Sequence, residues 1–357
     1  MSLFTTIMMD GKNGMSSPTF ILDSKQLRDN LKLFQYLAQQ TNTTWLYTIK
    51  AFHESGGLEI IDKFLDGFSI GNQNEYSYIQ NSNNKHIHSY APAFYEDDIW
   101  LLSTQSTTLS FNSLSQWHKL HSKCNPKCSL GLRINPKLNL NQPSYCDANH
   151  SRLGLDYEVF LQSYHTLSNL EGLHFHIFCY QDIQALKTLI RHIQTDYSHI
   201  LPKLKWLNLG GGQNFTHPNY NKAAFIDTIN SFNAKYPNLQ IIFEPASSVL
   251  ENCGYFETTI LDIIPNKIPT VILNTSIETH LLDIAITKQS PNIQSKSGKY
   301  CYELTGMSCI AGDIIGRYNF EYKLNIGDKI IFKNMLGYTL SKQTNFNGLK
   351  RVNFKII

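Results

Sequence analysis

Over roughly the first two-thirds of the chain, short apolar runs alternate with longer segments in which apolar residues return every three or four positions. Eight of the runs read as strands, at residues 46–51, 67–71, 86–91, 109–113, 129–135, 172–178, 206–210 and 240–244. The segments between them, such as 58–65, 156–167, 182–195 and 222–234, read as amphipathic helices. Upstream, Leu27, Leu31, Phe34 and Leu37 follow a candidate cap at Asp23-Ser24 at helical spacing. Strands that alternate with helices imply a parallel sheet. Eight such units in this length suit a (β/α)8 TIM barrel, with an open doubly wound sheet as the runner-up.

After Glu244 the pattern changes. Residues 254–264, 270–274, 300–305, 329–332 and 338–342 read as strands joined mostly by short turns, the signature of an antiparallel β domain. The expected division is a barrel over 18–250 and a β-rich domain over 251–357, with residues 1–17 joined to the latter.

Composition narrows the class. Hydrophobic residues make up 42% and charged residues 17%, which is globular and not disordered. A formal net charge of +3 without a basic block gives no reason to expect nucleic acid. No apolar run approaches the roughly 20 residues that span a bilayer, and the N-terminus lacks the pattern of a signal peptide. A cytoplasmic location is the expectation. Seven cysteines without regular spacing argue against a disulfide framework.

In a (β/α)8 barrel the active site forms at the C-terminal ends of the strands. Four candidates fall there: Lys50 in the first strand, His176 in the sixth, Gly210-Gly211-Gly212 after the seventh and Glu244 at the end of the eighth. Lone lysines at strand ends usually carry the charged head to the surface. A buried one has a lowered pKa, and its neutral amine can attack an aldehyde. Three glycines after a strand let the backbone approach a ligand and cradle a phosphate, or simply make a turn. His174 and His176 share a strand face, where one of them can stack on a flat ring. A carboxylate at Glu244 can pair with a protonated ring nitrogen. Together these are the parts of a pyridoxal 5'-phosphate site. His118, His121, Cys124 and Cys128 offer zinc-ligand types, but their gaps match no common ligand pattern. No metal is expected.

An ordered set of motifs carries a family resemblance: Ile49-Lys50-Ala51-Phe52, Ser151-Arg152-Leu153-Gly154, Gly172-Leu173-His174-Phe175-His176, Leu209 to Gly212, Phe243-Glu244-Pro245, Cys309-Ile310-Ala311-Gly312-Asp313, Gly337-Tyr338-Thr339 and Phe346-Asn347-Gly348. The chain resembles the fold-type III, alanine-racemase-like pyridoxal-phosphate decarboxylases, and within them the carboxynorspermidine decarboxylases. The resemblance implies α-decarboxylation of a carboxylated polyamine, with another modified diamino acid as the alternative. It implies that Lys50 binds the cofactor covalently, His176 stacks on its ring, Gly210, Gly211, Gly212 and Tyr338 hold its phosphate, and Glu244 faces its ring nitrogen. It further implies that Cys309 comes from the neighbouring subunit of a homodimer and manages a proton. Asp283 and Asp313, with Glu278 and His280 behind them, would read the far amine of the substrate. Ala246 stands where relatives commonly carry glycine after Glu-Pro.

Overall fold

The structure is a computed structural model that describes residues 17–82, 85–140, 151–295, 297–349 and 351–357. The chain forms two compact units: Ser24–Glu251, and a second that joins the segment ending at Asp23 to Asn252–Ile357. Residues 1–16, expected to accompany the β-rich domain, lie outside the described residues. Residues 18–22, expected in the barrel, instead supply β1 (Thr19–Leu22) to the second unit. There it pairs antiparallel with Gly254–Ile264 and parallel with Asn353–Ile356. Its pattern could not choose between sheets, because an apolar run of three residues, Phe20 to Leu22, satisfies either.

The first unit contains all eight expected barrel strands: β2 (Thr44–Thr48), β3 (Gly67–Ile70), β4 (His86–Tyr90), β5 (Thr108–Phe111), β6 (Ser129–Asn135), then, beyond the two-residue β7 (Leu155–Asp156) that pairs with β6, β8 (Gly172–Phe175), β9 (Trp206–Asn208) and β10 (Gln240–Phe243). They run parallel in the order β5-β4-β3-β2-β10-β9-β8-β6, and β5 pairs with β6 to close the ring.

Side chains alternate across each strand. On β2, Trp45 packs outward in a ring cluster with Phe34, Phe215 and Phe243 at centroid distances of 5.4, 4.9 and 4.8 Å. That cluster anchors helix Ser24–Thr41, whose buried face includes Leu27, Leu31, Phe34 and Leu37. Inside, Leu46, Trp206 and Ile242 form a buried cluster. Trp206 occupies so much of the interior that a Cβ on Gly172 would lie 2.0 Å from its ring, and one on Gly131 2.4 Å from it.

The second unit is a seven-stranded, mostly antiparallel sheet of β1, β11 (Gly254–Ile264), β12 (Thr270–Leu273), β13 (Tyr300–Thr305), β14 (Ile314–Phe320), β15 (Lys329–Lys333) and β16 (Asn353–Ile356). The β1–β16 and β12–β13 pairs are parallel. Phe20 stacks on Phe256 at 4.4 Å across β1 and β11 in its core. Residues 338–342, expected as a strand, are a short helix over Tyr338–Ser341. Gly337, with φ 70°, turns the chain before it, and so short a segment shows no helical period. β14 and β16 escaped notice because a glycine interrupts one and only four residues make up the other. Among the described residues, no helix is long and apolar enough to cross a membrane.

Candidate active site

The first site residue stands just beyond its strand. β2 ends at Thr48, and Lys50 lies in a single 3-10 turn, Ile49–Ala51. Thr48 ties this turn to the end of β10: its amide donates to Pro245 O at 3.2 Å and its hydroxyl to Glu244 O at 3.2 Å. Lys50 was expected to be buried, yet its side chain is solvent-accessible. Its pKa nevertheless falls below the ordinary lysine value, first because the surrounding protein strips water from the charged form and then through the charge of Arg133. Glu244 and Glu75 oppose this. Both properties suit an amine on the wall of a barrel mouth, reachable but poorly hydrated.

After β9, Gly210 and Gly212 adopt φ of 67° and 92°. A Cβ on Gly211 would lie 2.1 Å from Glu244 O, and one on Gly212 2.0 Å from Phe178 O. Glycine is therefore required by close backbone approach on both sides. Two of the expected phosphate-binding amides are already engaged. Gly210 N donates to Asn208 Oδ1 at 2.8 Å, and Gly211 N to His176 Nδ1 at 3.3 Å. The second bond fixes the half-buried His176 ring against the turn. Burial and the charges of Arg133 and Lys50 hold that imidazole well below its usual pKa.

Glu244 is 3% exposed. Its Oε1 accepts from Asn208 Nδ2 at 2.9 Å and lies 3.9 Å from His88 Nε2, while its Oε2 lies 3.6 Å from His174 Nε2. Burial raises its pKa; hydrogen bonds from Asn208 and Ser69, with the charges of Lys50 and Arg133, pull the other way. Arg133 on β6 donates to His176 O at 3.0 Å, and its guanidinium sits 4.5 Å from the centre of the Tyr90 ring. Glu75 accepts from Gly71 N at 2.6 Å. The Ser151-to-Gly154 motif is pinned by Asn112, which accepts from Gly154 N at 2.7 Å and donates to Arg152 O at 3.0 Å.

This set fits pyridoxal phosphate. It has a reachable amine of weakened basicity, a glycine turn, a half-buried imidazole and a buried carboxylate. It also has a buried imidazole, His174, whose ring nitrogens find no hydrogen-bond partner among the described residues. His174, His176 and Glu244 place ligand-type atoms within 4.8 Å of one another, so their donors alone would also suit a metal ion. A metal would leave Lys50 and the glycine turn without a part. The His118–Cys128 segment is built differently. Cys124 and Cys128 are buried and His121 Nδ1 donates to Trp117 O at 2.7 Å, so these side chains point into local packing.

The second unit gathers the remaining candidates. Asp313 is 3% exposed and accepts three hydrogen bonds, from Ile277 N at 2.9 Å, Ser308 N at 3.0 Å and Ser308 Oγ at 2.7 Å. It clamps the Cys309 loop to the 277–280 helix. Glu278 accepts from Ser276 Oγ at 3.0 Å. His280 is buried, with Nδ1 3.0 Å from Thr275 Oγ1. Asp283 accepts from Thr339 Oγ1 at 2.5 Å through Oδ2, and its Oδ1 has no hydrogen-bond partner among the described residues. Tyr338 opens its helix half-buried, and Cys309 is an exposed free thiol.

Comparison with known proteins bears on both units together. Residues 19–335 match the family model described as pyridoxal-dependent decarboxylase, C-terminal sheet domain. The chain belongs to this family. It is 33% identical to the carboxynorspermidine/carboxyspermidine decarboxylase of Campylobacter jejuni, covering 96% of this chain and 93% of the relative. It is 30% identical to the carboxyaminopropylagmatine decarboxylase of a Synechocystis species, over 94% and 89%. The crystal structure of the Campylobacter jejuni carboxynorspermidine decarboxylase with norspermidine superposes at a TM-score of 0.88, with 32% identity over 95% of this chain and 94% of that one. This pyridoxal-dependent decarboxylase thus has both the expected barrel and the mostly antiparallel sheet of its relatives.

Sequence reasoning missed His88, Tyr90, Arg133 and Asn208. Each lies on the inward face of its strand, in step with His86, His88 and Tyr90 on β4, Gly131 and Arg133 on β6, and Trp206 and Asn208 on β9. The signal was a polar residue on the inward phase of each strand, His88 and Tyr90 on β4, Arg133 on β6 and Asn208 on β9.

Proposed function

We propose that this decarboxylase removes the α-carboxyl group of a carboxylated polyamine of the carboxynorspermidine and carboxyspermidine type, using pyridoxal 5'-phosphate joined to Lys50. The observation that carries the reading is a lysine just beyond the end of β2 whose amine feels the charges of Arg133, Glu244 and Glu75 and has a lowered pKa, in the same barrel whose glycine turn is packed against Glu244 O. The named activities of the Campylobacter jejuni and Synechocystis relatives support the substrate class.

Bound pyridoxal phosphate supplies an electron sink for the pair left when carbon dioxide departs. The residues of this chain prepare that chemistry. Lys50 offers a nucleophilic Nζ because desolvation and Arg133 disfavour its proton. The glycine turn brings backbone close enough to meet a phosphate, with Tyr338 assigned to the same group. Glu244 holds a proton on the ring nitrogen through a carboxylate steadied by Asn208. His176, fixed by Gly211 N, presents its imidazole to the ring. Cys309 Sγ delivers or withholds the proton that replaces the carboxylate, from the second subunit of a homodimer. For the distal amine of the substrate, Asp283 has an oxygen to offer, while Asp313 spends its carboxylate on the Cys309 loop.

The test is carbon dioxide release from a panel of carboxynorspermidine, carboxyspermidine, carboxyaminopropylagmatine, ornithine and diaminopimelate, with the purified protein and added cofactor. A higher kcat/KM for the carboxylated polyamines is expected. Faster turnover of ornithine or diaminopimelate would move the protein to the alternative substrate class.

A further inference from the structure

We infer that His174 is a positioning residue whose neutral imidazole donates a hydrogen bond to Glu244 and so fixes the carboxylate that meets the cofactor ring. This rests on the pyridoxal-phosphate reading of the site. Three independent observations lead to it.

The first is an orphan. His174 is 1% exposed, and neither ring nitrogen has a hydrogen-bond partner among the described residues. A buried polar group left this way costs folding free energy, so an unpartnered imidazole facing a proposed ligand site calls for a use. The second is proximity. His174 Nε2 stands 3.6 Å from Glu244 Oε2, just beyond hydrogen-bond range, and a small shift of either side chain would close the gap. Active-site hydrogen bonds are often long before ligands seat. The third is the manner in which the ring is held. Tyr90, His88 and His176 meet it edge-on, at 5.2, 5.1 and 6.2 Å, so it is walled in by rings and not tied by hydrogen bonds. His88 differs. Its Nδ1 and Nε2 are committed to Thr108 Oγ1 at 2.8 Å and Ser110 Oγ at 3.2 Å. Of these two, His174 has the donor to spare.

The electrical surroundings fit a neutral donor. Burial first, then neighbouring His88, Arg133, His176 and Lys50, hold the His174 pKa well below the ordinary imidazole value. A neutral imidazole can donate one N–H to Glu244 without becoming a cation that competes with the ring proton for the carboxylate.

The experiment compares wild-type protein with His174→Phe, which keeps ring volume but loses the donor, and His174→Gln, which keeps an N–H. Cofactor affinity is measured by equilibrium dialysis with pyridoxal phosphate, and thermal stability is measured on cofactor-free protein. His174→Phe should weaken cofactor binding about 10- to 100-fold, the scale of a hydrogen bond to a charged group. His174→Gln should restore most of that loss. Cofactor-free His174→Phe should melt at or above the wild-type temperature, because it removes an unsatisfied buried polar group. A packing role would instead lower that melting temperature and leave the Gln variant as weak as Phe. If the Phe variant does not fold, His174→Leu takes its place in the same comparison. Unchanged affinity in the Phe or Leu variant, or no rescue by Gln, overturns the inference. A wild-type protein that binds no pyridoxal phosphate overturns the reading of the site itself.

Discussion

At the scale of single residues, the two acids assigned to the substrate's distal amine are not equivalent. Asp313 has each carboxylate oxygen occupied by donors from its own unit, whereas Asp283 Oδ1 has no hydrogen-bond partner among the described residues. Leaving a buried charge without its partner typically costs roughly 3–5 kcal/mol. Asp283→Asn should therefore lower kcat/KM by about 100-fold or more for substrates with a distal amine, at roughly 1.4 kcal/mol per decade, and much less for analogues without one. Asp313→Asn should act mainly on stability, because its amide N–H₂ would face the donors that Asp313 now accepts. A lowered melting temperature with intact discrimination is the expected outcome. Equal loss of discrimination in both variants would return Asp313 to the substrate. Lys50 carries a separate prediction. Borohydride reduction of the cofactor-loaded protein should fix the label on Lys50, and peptide mapping that finds it elsewhere would sink the assignment. The placement of Lys50, His176, the glycines and Glu244 at or just beyond strand ends was legible, because each follows an apolar run that reads as a strand. The engagement of Asp313 was not, because hydrogen bonds between residues thirty-six apart, such as Ile277 to Asp313, leave no local pattern.

At the scale of elements, the barrel strands were legible as units and their boundaries were not. Each expected strand is present, but the expected last residues of the first, sixth and seventh, which include Lys50, His176 and Gly210, lie in turns beyond the strands. An apolar run continues through such a turn, so the pattern overshoots. The glycine turn after β9 has a checkable cost. Gly212→Ala would put a Cβ 2.0 Å from Phe178 O at φ 92°, and such backbone strain costs on the order of 1–3 kcal/mol. A lower melting temperature together with weaker cofactor binding is expected; a variant that matches wild type in both would show that the turn relaxes freely. Strand β4 makes a second prediction. Burial lowers the pKa of His88 to about 3 and that of His86 to about 4, from 6.5. Between those values and 6.5 the unfolded chain binds more protons than the folded one, so stability rises with pH there and is lost as pH falls below about 6.5. Each histidine contributes a slope of up to about 1.4 kcal/mol per pH unit. Chemical denaturation from pH 7 to 4.5 should show this loss, and a His86→Gln, His88→Gln double variant should make it shallower, the rest coming from His174 and His176, whose pKa values are also lowered. An unchanged slope would place the titrating groups elsewhere.

At the scale of the whole molecule, the change from strand–helix alternation to strand–turn alternation made two units legible. The crossing of β1 into the second unit was not, since pairing partners more than two hundred residues away decide it. The oligomeric state belongs to this scale as well. Lys50 lies in one unit and Cys309 in the other, within a stretch where Met307, Ile310 and Ile314 are 39%, 40% and 46% exposed. Apolar side chains grouped around a free thiol are the kind of surface that a second copy covers. If each site takes Lys50 from one subunit and Cys309 from the other, Lys50→Ala and Cys309→Ala homodimers each carry two damaged sites. A heterodimer of the two variants carries one doubly damaged site and one intact site. Random reassortment makes about half of the dimers heterodimers, so about a quarter of wild-type activity should return on mixing. Subunit exchange is followed with differently tagged chains, and activity is measured before and after. Recovery near that level supports shared sites. No recovery after verified exchange would mean that each chain completes its own site, and Cys309 would then act on the lysine of its own chain or not at all.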